Sequence, residues 1–441
     1  MHVTLLTFSG SRGDVQPFAA LGRGLRAAGH EVQFAADDQW LPLAREAGLA
    51  FTPTGRLSGS KDELVSVIDA FKTNPVSAVK QLRHYIDNEL SPQLEQALHD
   101  AWQALQSTDA LIVRGANYAT GYFLARKRRV PLYLAATAPE FTPTRDFPAT
   151  GFPAAPIKLG EGAYNRMTFR MFGWMAWKIS RFMLKKTLPR AVGDPEMKLN
   201  RPKGFYSCNC PVLYGFSESV FPKPADWTDD QHVTGYWFLD RGADWQPPSA
   251  LVEFLQSGSP PVLIDFGSMN YRSLHVSAAL AALRRCGSRG ILRASAYDAG
   301  RMDTEDELFV LVDNVPYDWL FPRLGAVIHH GGAGTTAAGL RAGIPSILVP
   351  FGHDQHTWSR RLHQLGVAPA PISRRKLSVD SIAEGVDHVF KDPAVSARLK
   401  ALKRRLAAED GVGVAVRVLE RDLLGPRSGI ERPLRERSSH R

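Results

Sequence analysis

The chain has 441 residues, 44% of them apolar and 22% charged; this is too long for one ordinary core, and two globular domains are expected. Its formal charge of +10 raises the question of nucleic acid, yet no zinc-finger spacing, RNP-like aromatic motif or P-loop accompanies it, so no nucleic-acid partner is expected. No run of about eighteen apolar residues would cross a membrane, the N-terminus lacks the pattern of a secretory signal, and Cys208, Cys210 and Cys286 form no ligand-spaced set and suit a reducing cytoplasm.

Strands are expected at 3–8 and 32–35, with helices at 18–28 and 40–47. Further strands fall at 110–113, 132–135 and 212–215. This alternation predicts a parallel sheet covered on both faces. Between 222 and 261 six prolines interrupt any period, which reads as the connection and entry to a second domain. The alternation then restarts, with strands at 262–266, 290–293, 309–312, 326–328 and 346–349 and a helix at 276–285. The expected fold class is α/β, two doubly wound domains facing across a cleft lined by strand-end loops. The expected division is 1–225, a linker and domain entry at 226–260, 261–424, and a disordered basic tail at 425–441.

Four strand-end turns carry polar chemistry. Gly10-Ser11-Arg12-Gly13-Asp14 follows the first strand; Asp14 is either a first-turn carboxylate favoured by the helix dipole or a general base facing the cleft. Asp265-Phe266-Gly267-Ser268 has the same form at the head of the second domain, where Ser268 is either a phosphate donor or part of a plain tight turn. His329-His330-Gly331-Gly332-Ala333-Gly334-Thr335-Thr336 leaves a strand and enters a helix, presenting backbone N–H groups and a positive dipole end to an anion. There His330 is a phosphate donor or a packed histidine, and no carboxylate or histidine set makes it a metal ligand. One βα unit later, His353-Asp354-Gln355 suits the hydroxyl groups of a sugar, so a nucleotide-sugar is the expected ligand.

The segment 164–190 carries seven basic residues, no acidic ones and six aromatics. At 100° per residue Arg166, Arg170, Lys178, Arg181 and Lys185 share one side, and Met171, Phe172, Met175, Ile179, Phe182 and Met183 the other. Three readings fit: an apolar side packed on the domain beneath a solvated basic face, the wall of an apolar acceptor cavity, or contact with an anionic membrane.

These motifs together resemble the inverting, nucleotide-sugar-dependent glycosyltransferases of the GT-B fold, two Rossmann-like domains, and within them the sterol glucosyltransferases and their bacterial relatives. The resemblance runs to about residue 420. It is carried by GSRGDVQP at 10–17, PTRDFP at 143–148, DFGSM at 265–269, VPYDWLFP at 315–322, HHGGAGTT at 329–336 and FGHDQHTW at 351–358. HHGGAGTT marks the wider class, which includes antibiotic-tailoring enzymes and rhamnosyltransferases; SRGDVQP with DWLFP points to the sterol branch.

The resemblance implies that Asp14 is the catalytic base, at a position where plant relatives have histidine. His330 and the backbone of Gly332, Ala333, Gly334 and Thr335 would hold the diphosphate, with Ser268 and Ser11 adding donors. Asp354 and Gln355 would bind sugar hydroxyls, and the segment around Val315 would frame the uracil, leaving Trp319 to core packing. It further implies UDP-glucose as co-substrate, no cofactor or metal, and an apolar hydroxylated acceptor such as a sterol, terpenoid or polyketide. The expected location is cytoplasmic, with peripheral membrane contact through 164–190. Where some relatives offer a second carboxylate to orient the base, this chain has Arg114-Gly115-Ala116-Asn117. The alternatives are a dTDP-sugar transferase acting on a lipid or macrolide, a UDP-sugar 2-epimerase, and a catalytically silent binding protein.

Overall fold

The computed structural model describes residues 1–425 apart from 9, 56–85, 156–159, 203–209, 242–244, 267–272, 294–307, 312–314 and 353. The N-terminal sheet holds β1 (His2–Thr7), β2 (Glu31–Ala36), β3 (Ala50–Pro53), β4 (Ala110–Arg114), β5 (Leu132–Ala136), β6 (Val212–Tyr214) and β7 (Gln231–Val233). Its order is β3-β2-β1-β4-β5-β6-β7. The C-terminal sheet holds β8 (Val262–Asp265), β9 (Gly290–Arg293), β10 (Leu308–Leu311), β11 (Ala326–His329) and β12 (Ser346–Leu348), in the order β10-β9-β8-β11-β12. Every strand pair is parallel. That explains the unbroken apolar runs: Leu5, Leu6, Ile112, Val113, Ile264 and Ile328 are fully buried because helices cover both sheet faces. This is the expected pair of doubly wound domains.

In each sheet the strand order reverses beside its first strand, between β1 and β4 and again between β8 and β11. Such switch points open a crevice at the carboxyl ends of the strands, where ligands of open α/β sheets bind. The turns bearing Asp14 and His330 leave β1 and β11 at those two crevices.

The expected domain limits need two adjustments. The stretch 226–260, read as linker and domain entry, contributes β7 to the N-terminal sheet, because Pro224 and Pro248 interrupt helices without preventing a short, half-buried edge strand between them. The helix Gly411–Leu424, assigned to the second domain, returns to the first. Its Ala415, Val416, Val418 and Leu419 join the core of Val3, Leu5 and Leu25. A side chain at Gly24 would put its Cβ 2.2 Å from Val412 Cγ1, so only glycine lets the helices approach this closely. His30 Nε2 and Glu420 Oε1 meet at 3.2 Å across the same contact. The expected tail lies outside the described residues beyond 425.

The domains also share a seam. Trp358 of the second is fully buried with its ring centroid 6.0 Å from Phe216 and 6.2 Å from Phe221 of the first. Arg341 grips both oxygens of Asp240 at 2.6 Å.

Segment 164–190 lies within one helix, Glu161–Ala191, but packs differently from the expected pattern. Its buried side is Phe169, Gly173, Trp177, Leu184 and Leu188; Phe172 and Met183 reach the core only in part. Met171, Met175, Ile179 and Phe182 face outward. A plain apolar-in, basic-out division is therefore incorrect here: the neighbouring helix Ser91–Ala104 and Phe123, whose ring lies 6.2 Å from Trp177, select the Trp177 side.

Candidate active site

Asp14 is the third residue of helix Arg12–Ala27, whose N-cap is Ser11. The amide and the hydroxyl of Ser11 both donate to Asp14 Oδ2 at 2.8 Å. Arg114, the last residue of β4, donates from Nη1 to Asp14 Oδ1 at 3.2 Å and from Nε to Thr7 Oγ1 at 3.3 Å. Asp14 therefore belongs to the capping box of its helix and also lines the cleft. An ionised carboxylate offers about four lone-pair sites; with three occupied, about one remains for an incoming hydroxyl. Ser11 spends its hydroxyl on Asp14, so in this geometry it steadies the carboxylate.

On the opposite wall the chain leaves β11 through Gly331, whose φ of +86° is a left-handed conformation that glycine adopts without strain. Gly332 caps helix Ala333–Ala342. A Cβ on Gly332 would sit 2.5 Å from His330 Nε2, so its absence lets the imidazole lie against the loop. His329 is fully buried, accepts the Gly331 amide at Nδ1 (3.1 Å), and is held neutral, pushed down to about 3 first by burial and then by His330. His330 lines the cleft and is also pushed down by burial. The Asp265 backbone offers His330 a hydrogen bond that works against that burial; Thr335 lines the cavity, and Thr336 is buried behind it.

The two walls touch through glycine. A Cβ on Gly334 would lie 3.2 Å from Gly13 Cα, so the starts of helices Arg12–Ala27 and Ala333–Ala342 converge, each with its positive dipole end toward the same space. That space is one cavity of about 740 Å³, lined by Asp14, Arg114 and Glu140 from the first domain and by Arg293, His330 and Asp354 from the second.

Asp354 caps helix Gln355–Gln364 and is pushed up to about 7, first by burial and then by Asp14. Gln355 is buried and its Oε1 accepts the amides of Phe351 (2.8 Å) and Gly352 (3.2 Å); its NH₂ is the end left to meet a ligand. Val315 is buried and lines the cavity. Trp319 does not line it and packs on Trp245, ring centroids 5.1 Å apart, as core packing requires. Ser268, Asn314 and His353 lie outside the described residues.

Three features escaped the sequence reading. Arg114 was noted only as a departure, yet it is Asp14's cationic partner. Glu140 follows β5 and is pushed up to about 8, first by burial, then by Asp354 and Asp14; the strand-end rule that singled out Asp14 would have found it. Arg293 donates to Asp265 Oδ2 (3.1 Å) and to the Tyr317 hydroxyl (2.9 Å), tying the ends of β8 and β9 to the 315–322 segment, an arrangement that no local spacing announces. Among the described residues no group of three His, Cys, Asp or Glu side chains is placed to hold a metal ion.

Residues 4–101 match the glycosyltransferase family 28 N-terminal domain, and residues 304–418 match the C-terminal domain of erythromycin biosynthesis protein CIII-like proteins. A sterol 3-beta-glucosyltransferase of Arabidopsis thaliana is 32% identical over 99% of this chain and 68% of its own length. The O-mycaminosyltylonolide 6-deoxyallosyltransferase of Streptomyces fradiae is 33% identical over 95% of this chain and 97% of its own. The crystal structure of the calicheamicin glycosyltransferase CalG4 superposes with a TM-score of 0.66 at 18% identity, covering 97% of this chain and 99% of that one. The chain spans only 30% of the sterol 3-beta-glucosyltransferase of Emericella nidulans, to which it is 34% identical over 96% of its own length. Two parallel-sheet domains, a glycine-lined loop across the cleft from Asp14, and these matches together place the chain in the family of GT-B glycosyltransferases that includes the sterol 3-beta-glucosyltransferases and the S. fradiae deoxyallosyltransferase.

Proposed function

We propose that the chain transfers glucose from UDP-glucose to a hydroxyl of an apolar acceptor of the sterol, terpenoid or polyketide kind, with inversion at the anomeric carbon. What supports this reading above all is one arrangement: Asp14 and the Gly332–Thr335 loop face each other in a single cavity, with Gly13 and Gly334 in contact. Asp14 accepts the hydroxyl proton as the oxygen attacks. His330 and the amides that open helix Ala333–Ala342 take up the charge growing on the departing diphosphate, which is chemistry that needs no divalent ion. Asp354 and the NH₂ of Gln355 hold the sugar hydroxyls, and Val315 borders the base.

The S. fradiae relative, matched over nearly its whole length, favours a second reading in which the donor carries a deoxysugar on dTDP. Purified protein incubated with UDP-glucose and with dTDP-deoxysugars, against sterol and macrolide acceptors, separates the two by nucleotide release and product mass. Proton NMR of the product reports the anomeric configuration, and EDTA in the assay tests metal independence. Conversion of the donor with no acceptor present would instead indicate the epimerase chemistry. Retention of configuration would remove the single-displacement mechanism.

A further inference from the structure

Helix Glu161–Ala191 connects β5 to β6 and is anchored on the first domain by Trp177, Leu184 and Leu188. No residue of it lines the cleft, so a role as acceptor wall does not account for its composition. On its outward side Met167, Met171, Trp174, Met175, Ile179 and Phe182 are between 47% and 59% exposed, six of the eight large apolar side chains exposed among the described residues. At 100° per residue they occupy an arc of roughly 140°. Lys178, Lys185 and Lys186 fall inside that arc, and Arg170 and Arg181 lie along its edge. Arg166 and Arg190 pair with Asp226 (3.6 Å) and Glu95 (3.7 Å); the five cations of the outward side have no carboxylate partner among the described residues. Lys178 Nζ lies 5.6 Å from the Trp174 ring centroid and Lys185 Nζ 5.6 Å from that of Phe182.

Water is a poor partner for such a face, since monomeric proteins rarely expose contiguous apolar patches above a few hundred Å². A second copy is also poor, because it would set lysine against lysine. An anionic lipid surface satisfies both components: the apolar side chains enter the boundary below the headgroups while the long cationic ones reach up to lipid phosphates. No helix among the described residues is long and apolar enough to cross a membrane. We propose that the outward face of helix Glu161–Ala191 docks on an anionic bilayer and lies along its surface. This inference is independent of the transfer reaction.

Flotation of the full chain with vesicles of phosphatidylcholine alone, and of equal parts phosphatidylcholine and phosphatidylglycerol, tests it. Binding to the anionic vesicles should exceed neutral binding by roughly tenfold or more and fall with added salt. Lys178→Glu/Arg181→Glu/Lys185→Glu and Trp174→Ser/Ile179→Ser/Phe182→Ser should each lose about tenfold or more with unchanged thermal unfolding, since all six positions are exposed or lie outside the core. Equal binding to both vesicle types, wild-type binding by either triple variant, or no binding at all overturns the proposal. So does a light-scattering dimer that the serine variant dissociates without any vesicle binding, which would make the face a self-association surface.

Discussion

On the N-terminal wall of the cleft, Asp14 is held by other side chains: the Ser11 hydroxyl on one oxygen and the Arg114 guanidinium on the other. On the C-terminal wall the groups at the cavity are mostly main chain, laid bare by Gly332 and Gly334, with the side chains of His330 and Thr335 beside them. The first wall is fixed by side-chain contacts within the protein; the second turns the start of a helix toward the cavity. The contrast suits a base that must hold one position and a cradle that must accept three or four anionic oxygens. It also means that damage should show differently, in turnover on one side and in affinity on the other.

The sharpest break comes at Asp14. Asp14→Asn keeps an oxygen for the Ser11 amide, so the helix start should survive, while the basic carboxylate is lost. Transfer should fall by about 10²–10⁴-fold, the usual worth of a positioned general base, with the donor KM nearly unchanged and circular dichroism as in wild type. Turnover within about threefold of wild type would move the base elsewhere, and Glu140 would be the first place to look.

Across the cleft, Gly332→Ala forces a methyl to 2.5 Å from His330 Nε2, so the imidazole must swing away. Losing one or two hydrogen bonds to the diphosphate predicts roughly tenfold weaker UDP binding by calorimetry, with little change in stability. A larger effect on kcat than on UDP affinity would contradict the division of labour between the walls.

The sequence reading reached the architecture because parallel strands buried on both faces announce themselves as short apolar runs, as at 110–113 and 326–328. It reached Asp14 and the glycine loop because strand-end turns are local objects. It did not reach Arg114 as a partner, since that contact joins positions one hundred residues apart at a switch point that only the strand order creates. The helix Glu161–Ala191 went wrong for the opposite reason: its composition was plain, but which side turned inward was decided by Phe123 and the Ser91–Ala104 helix. The return of helix Gly411–Leu424 to the first domain depended on a missing side chain at Gly24, a signal that has meaning only beside Val412.

A gentler break of the N-terminal wall is Arg114→Ala, which frees one oxygen of Asp14 and leaves the Ser11 contacts intact. About a tenfold loss in kcat is expected from the less constrained carboxylate, without change in donor KM. Arg114→Lys should restore only part of it, because one ammonium cannot reproduce a fork that spans Thr7 and Asp14. A purely structural arginine would instead lower the unfolding temperature and leave kcat per folded molecule alone.

The smallest expected effect concerns stability and pH, and it joins the two walls. Glu140 is pushed up to about 8, by burial, then Asp354 and Asp14, against a hydrogen bond from Thr150 (3.3 Å) and the Arg114 charge; Asp354 is pushed up to about 7. Both folded values lie above the ordinary carboxyl range, so the unfolded chain releases these protons first as pH rises. Their contribution to stability is therefore full below about pH 4 and is lost as pH climbs through 7 and 8. The ligand-free protein should unfold at a temperature about 1–2 °C lower at pH 8.5 than at pH 7, a window above the range in which His329 and His330 change charge, at roughly 1 °C per kcal/mol for an unfolding entropy of about 2.1 cal/mol/K per residue in a chain of this length. Glu140→Gln removes one of the crowded carboxyls and should flatten that slope while easing Asp354. If the slope is unchanged in Glu140→Gln, Glu140 titrates in solution as an ordinary exposed carboxyl, and the burial that raises it in the cleft is absent.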